Sequence, residues 1–127
     1  MELKRSVFLG GCHCGAVRFE VTLTNPVPID CNCSICIPKG FLHLIVEPED
    51  FTLLQGSDDL QTYRFGTHTA VHRFCKICGI HPFYTPRSHP SKVDVNANCL
   101  DDADVGAWPR RFFDGQNWEQ AITSLED

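Results

Sequence analysis

Seven of the eight cysteines in this 127-residue chain fall into three tight groups, and only Cys99 stands alone. The groups are Cys12-His-Cys14, Cys31-Asn-Cys33-Ser-Ile-Cys36 and Cys75-Lys-Ile-Cys78-Gly79. A tetrahedral Zn²⁺ holds sulfur at about 2.3 Å, so its ligands must converge to within roughly 4 Å of one another. Any fold of this chain must therefore bring cysteines distant in sequence together. Seven clustered sulfurs divide into four plus three. Four close a structural site, most simply Cys12, Cys14, Cys75 and Cys78. Three, Cys31, Cys33 and Cys36, leave a coordination position open, as catalytic zinc does. The expectation is two zinc ions per chain with different tasks. A second structural ion, completed by Cys99 or a histidine, is the competing reading of the central group.

A disulfide framework is the other use of eight cysteines. The N-terminal stretch has basic residues but no apolar run of signal-peptide length, and nothing approaches the roughly 18 apolar residues of a membrane span. The expected compartment is the reducing cytoplasm, where thiols stay free to bind metal. The net charge of −5 carries no basic stripe beyond Lys4-Arg5 and Arg110-Arg111, which argues against nucleic acid as a partner. At this length the expectation is a single domain, residues 1–127.

The pattern along the chain is of short strands and turns, an antiparallel β domain with one C-terminal helix. Val17, Phe19, Val21 and Leu23 alternate with polar residues over 16–24. Strands are also expected over 41–46, 51–54, 80–84 and 93–97, the one over 80–84 at an edge or irregular because of Pro82. A hairpin is expected over 61–75. The spacing of Trp118, Ala121, Ile122 and Leu125 predicts a helix over 118–125.

Three thiolates on zinc leave a net charge of −1, which suits holding a substrate thiol better than activating water. His72, three residues before Cys75, is a candidate donor behind either metal. His43, inside an apolar strand, reads as a core histidine, and His13 as exposed. Arg87 is a candidate for binding a substrate carboxylate through its fork of donors. No phosphate loop, nucleophile elbow or His-Glu-x-x-His motif is present.

Gly10-Gly-Cys-His-Cys-Gly-Ala-Val-Arg-Phe19, Cys31 to Cys36, His72-Arg-Phe-Cys-Lys-Ile-Cys-Gly79 and Phe83-Tyr-Thr-Pro-Arg-Ser88 resemble the family of glutathione-dependent formaldehyde-activating enzymes and centromere protein V. Asn98-Cys-Leu-Asp101 and Phe113 to Glu119 extend the resemblance, which looks closer to the centromere protein V-like branch. The resemblance implies an Mss4-like fold of packed antiparallel sheets stapled by zinc. It implies a structural zinc on Cys12, Cys14, Cys75 and Cys78 and a catalytic zinc on Cys31, Cys33 and Cys36. It also implies carbon–sulfur lyase chemistry joining glutathione and formaldehyde, or the reverse. Members often carry basic residues directly after the third central cysteine, where this chain has Ile37-Pro38 before Lys39. A glutathione carrier or protein-interaction module is the non-enzymatic alternative.

Overall fold

The computed structural model describes residues 5–122. Its strands are β1 (Arg5–Gly11), β2 (Arg18–Thr24), β3 (Ile29–Cys31), β4 (Leu42–Val46), β5 (Phe51–Gln55), β6 (Leu60–Tyr63), β7 (Val71–Cys75), β8 (Phe83–Thr85), β9 (Val93–Asn96) and β10 (Arg111–Phe113). Single helical turns open at the last cysteine of the central group and follow the last strand: α1 (Cys36–Lys39) and α2 (Trp118–Ala121). One sheet has the order β1-β2-β5 and the other β10-β3-β4-β9-β8-β7-β6. All pairings are antiparallel except β10 with β3, which is parallel. This is the expected mainly β architecture of antiparallel sheets with a short C-terminal helix. None of the described helices is long and apolar enough to cross a membrane.

The alternation in β2 does what its period dictates. Phe19, Val21 and Leu23 are buried, with Val17 just before the strand, and the residues between them face outward. The core lies between the sheets: β2 supplies one wall, and Leu42, Leu44, Phe83 and Val95 the other. Phe19, Phe51 and Phe83 form its aromatic centre, with ring centroids 4.7–6.2 Å apart.

The register of the large sheet gives its second face an identity of its own. His72 pairs with Tyr84, Tyr84 with Asp94, and Asp94 with Ile45, so these four side chains form one row across β7, β8, β9 and β4. Their neighbours Phe83, Val95 and Leu44 point the other way, into the core.

Several boundaries differ from the sequence expectation. The strand expected over 80–84 is β8 at Phe83–Thr85, and it lies inside the sheet between β7 and β9 rather than at an edge. Pro82 ends just before the ladder and so removes no hydrogen bond from it. The 93–97 alternation is not a half-wet strand, since Asp94 and Asn96 are as buried as Val95. β1 and β10 carry too few alternating apolar residues to announce themselves. Of the helix expected over 118–125, Trp118–Ala121 is present, while 123–125 lie outside the described residues.

Candidate metal centres

Cys12 and Cys14 sit in the turn after β1, while Cys75 ends β7 and Cys78 lies in the turn that follows it. The first pair is not in extended chain, as Cys-x-Cys allows, but folded: Gly15 N–H donates to Cys12 O at 3.3 Å and Cys12 N–H to Val17 O at 3.1 Å. The second pair is a knuckle in which Gly79 N–H donates to Cys75 O at 2.8 Å. Gly79 has φ +80°, where a side chain would strain the backbone. The four sulfurs lie within 4.8 Å of one another. Cys14 Sγ is 3.6 Å from Cys12 Sγ and 3.7 Å from Cys75 Sγ. A tetrahedron with 2.3 Å bonds has edges of about 3.8 Å, so four thiols are set at the spacing of a zinc tetrahedron. Val17 N–H points at Cys12 Sγ from 3.3 Å, a donor suited to a thiolate.

The central group is built differently. Cys31 ends β3, Cys33 lies in the following loop, and Cys36 opens α1, which Gly40 closes at φ +63°. The sulfurs again fall within 4.8 Å of one another, and among the described residues the grouping stops at three. Cys99 is elsewhere, its thiol 3.8 Å from His81 O, pushed up to about 12 by burial. Cys33 Sγ and Cys36 Sγ are only 2.8 Å apart, tighter than a tetrahedral edge. Hydrogen bonds from Cys31 and then Cys36 pull Cys33 down to about 2, while Cys33 in turn pushes Cys31 up to about 11. The set has the softness and number of donors for a divalent metal, with the closest pair opening on binding.

This group faces a cavity of about 420 Å³, within the size range of small-ligand sites. The row of side chains on the second face of the large sheet forms its floor. Tyr84 stacks on His72 with centroids 4.8 Å apart, and desolvation raises the phenol well above its usual value. His72 is placed near the central group, not the four-cysteine one, and it faces Lys39 Nζ at 3.0 Å from Nδ1. Burial, then the lysine charge, lowers His72 to about 4, and burial lowers Lys39 to about 8. So the single cation after the third cysteine turns inward, over the Tyr84 and Phe41 rings at 4.3 and 4.7 Å.

At the rim, Arg87 lies 3.6 Å over the Trp118 ring and donates to Glu119 Oε1 at 2.9 Å. It lines the cavity as a carboxylate receptor would, but its charge is already met by a surface glutamate. Gly115 brings the last loop against the thiols. A Cβ there would stand 2.5 Å from Cys31 Sγ and 2.8 Å from Cys33 Cβ, so no side chain fits. His13 is exposed as expected, and His68 sits in an exposed turn.

Asp94 and Gly115 are site residues that the sequence reading missed. The signal for Asp94 was present: Asp and Asn, both depleted in strands, alternate within Val93-Asp-Val-Asn96.

A sequence profile described as glutathione-dependent formaldehyde-activating enzyme matches residues 7–115. A Halomonas elongata protein provisionally named a glutathione-dependent formaldehyde-activating enzyme is 29% identical, over 80% of this chain and 70% of its own. A crystal structure of a Rhodobacter sphaeroides protein is 37% identical with a TM-score of 0.72, covering 80% of this chain and 98% of that one.

Proposed function

This chain belongs to the glutathione-dependent formaldehyde-activating enzyme family, and on that premise we propose that it is a zinc-dependent carbon–sulfur lyase acting on a small thiol–aldehyde adduct. The observation that carries this reading is the cavity itself: three convergent thiols, short of a closed set by one ligand, lie in the wall of a site with room for a small molecule. In this reading residues 1–127 form one cytoplasmic domain that binds two zinc ions. Cys12, Cys14, Cys75 and Cys78 hold the structural ion, and Cys31, Cys33 and Cys36 hold the catalytic one.

When bound at the central cysteines, zinc would supply a soft cation that keeps an incoming thiol ionised. The protein's own residues do the rest. The cavity walls, apolar apart from a few groups, limit water around the sulfur and the aldehyde carbon. Arg87 offers its guanidinium to a substrate carboxylate in exchange for Glu119, whose side chain is 81% exposed and so a weak, replaceable partner. The reaction balances without an oxidant: the thiol adds to the carbonyl carbon, the carbonyl oxygen gains a proton, and the reverse releases thiol and aldehyde.

The test is a panel of thiol–aldehyde adducts, headed by S-hydroxymethylglutathione, offered to the zinc-loaded protein and to Cys33→Ser. Turnover of at least one adduct by the wild type, lost in the variant, is the expected outcome. Saturable thiol binding with no turnover of any adduct would replace this reading with a glutathione-binding module.

A further inference from the structure

His43 and Asp94 lie on the cavity floor, on adjacent strands of the large sheet, and neither belongs to the thiol cluster. Both are almost fully buried, with relative exposures of 4% and 1%. His43 Nδ1 is 2.6 Å from Asp94 Oδ2, and the other ring nitrogen, Nε2, is 3.2 Å from Cys36 Sγ. The ring is thus gripped at both nitrogens. Phe41 packs against the ring at 4.7 Å between centroids and Tyr84 at 5.9 Å. Tyr84 Oη approaches Nδ1 only to 3.4 Å, so the carboxyl is the stronger partner. The second carboxyl oxygen, Oδ1, is buried and has no hydrogen-bond partner among the described residues. The side-chain hydrogen bonding of Asp94 goes into His43.

A buried carboxyl without a task is costly, on the order of several kcal/mol for an ion taken out of water. Here it fixes a histidine whose far nitrogen meets a sulfur. Among the described residues the other two sulfurs have no such arrangement: Cys33 Sγ accepts the backbone N–H of Cys36 at 3.3 Å, and neither it nor Cys31 has a side-chain donor other than a thiol. The geometry points to Asp94 and His43 as positioning residues that hold Cys36 as a metal ligand, Asp94 acting only through the histidine ring. With Nδ1 turned to the carboxyl, Nε2 is the nitrogen that faces the sulfur, and an N–H there would donate to it. A thiolate that accepts such a hydrogen bond has its charge drawn toward the protein and its direction set. The device makes the three ligands unequal, with Cys36 the anchored one. This inference rests on the proposed metal binding by the three cysteines and needs no particular substrate.

It is tested on the two-zinc holoprotein by chelator competition, with the four-cysteine ion as internal reference. Asp94→Asn and His43→Phe should each speed loss of one ion by about ten- to a hundredfold and leave the other unchanged, the range expected for partners behind metal ligands. In the His43→Phe background, Asp94→Asn should add nothing further. His43→Gln, whose amide N–H can still reach the sulfur, should recover most of the retention. It also serves where a buried carboxyl change prevents folding. With Co²⁺ in place of zinc, the sulfur-to-metal charge-transfer band of the central site should shift in His43→Phe and stay in place in His43→Gln. Equal loosening of both ions, or additive effects of the two changes, would assign the pair a merely structural role and overturn the inference. A wild type holding a single ion would overturn the proposed metal reading together with it. Two ions without lyase turnover would cost the function and leave this inference standing.

Discussion

The two sulfur clusters contain the same residue type and differ in almost everything else. The four-cysteine group draws its members from turns 61 residues apart, Cys14 to Cys75, and ties the end of one sheet to the end of the other. Cys12 and Cys75 are packed into the apolar core, and Cys12 Sγ accepts a backbone amide. The three-cysteine group comes from six consecutive residues, yet it is surrounded by side chains from β4, β7, β8 and β9 and opens on the cavity. Ligands distant in sequence link parts of a fold, so such a site contributes mainly stability. Ligands from one loop link nothing over distance, and what matters about them is what the rest of the fold places alongside. The lesson is that closure and contribution to stability go together, and that openness has to be protected by packing from elsewhere.

The sharpest way to break that comparison is to remove one sulfur from each. Cys78→Ser should cost the fold, since structural zinc contributes about 10–16 kcal/mol in small zinc domains and a typical domain is stable by only about 5–15. Cys33→Ser should lower the metal content from two ions to one and leave the unfolding transition nearly in place. Mass spectrometry of the intact protein and thermal unfolding would read both. Equal loss of structure in the two variants would erase the distinction.

Gly115→Ala sharpens the comparison from the other side. Its Cβ would meet Cys31 Sγ at 2.5 Å, and relieving that overlap costs roughly 1–3 kcal/mol. The expected result is central-site metal affinity weaker by about ten- to a hundredfold, with the four-cysteine ion retained, measured by competition with a chromophoric chelator. Loss of both ions together would mean that the last loop supports the whole domain.

The smallest effect is in acid. His72 has its value lowered from 6.5 to about 4 by burial, then by Lys39. The unfolded chain therefore takes up that proton first. The stability His72 contributes is present in full above about pH 6.5 and is lost as the pH falls toward 4. His72→Phe keeps a ring against Tyr84 and removes the proton site. Its stability between pH 6.5 and 4, followed by denaturant titration, should fall less steeply than that of the wild type. Identical slopes would show that His72 does not titrate in this window.

The two cysteine groups that could hold metal were legible in the sequence because candidate ligands are constrained by spacing. Cys-x-Cys and Cys-x-x-Cys are local geometry, and the division into four and three follows from counting. The strand over 18–24 was legible for the same reason, since burial on one face leaves a period of two in Val17, Phe19, Val21 and Leu23. Membership of the family was legible in the ordered motifs and agrees with the profile match over residues 7–115. Other features were invisible because their cause lies far along the chain. Asp94 looked like a residue on a wet face because alternation reports which face differs, not whether water or a second layer lies beyond it. Pro82 looked like an edge signal because its effect depends on whether the ladder begins before or after it.

Covalent geometry and short-range spacing were enough to give the grouping of the cysteines into four and three and the β character of the chain. Only the tertiary structure decided which cluster faces a cavity, that His43 reaches Cys36 with Asp94 behind it, and that Lys39 turns inward. Those facts depend on strand register, which brings residues 43 and 94 together through hydrogen bonds that no local pattern encodes.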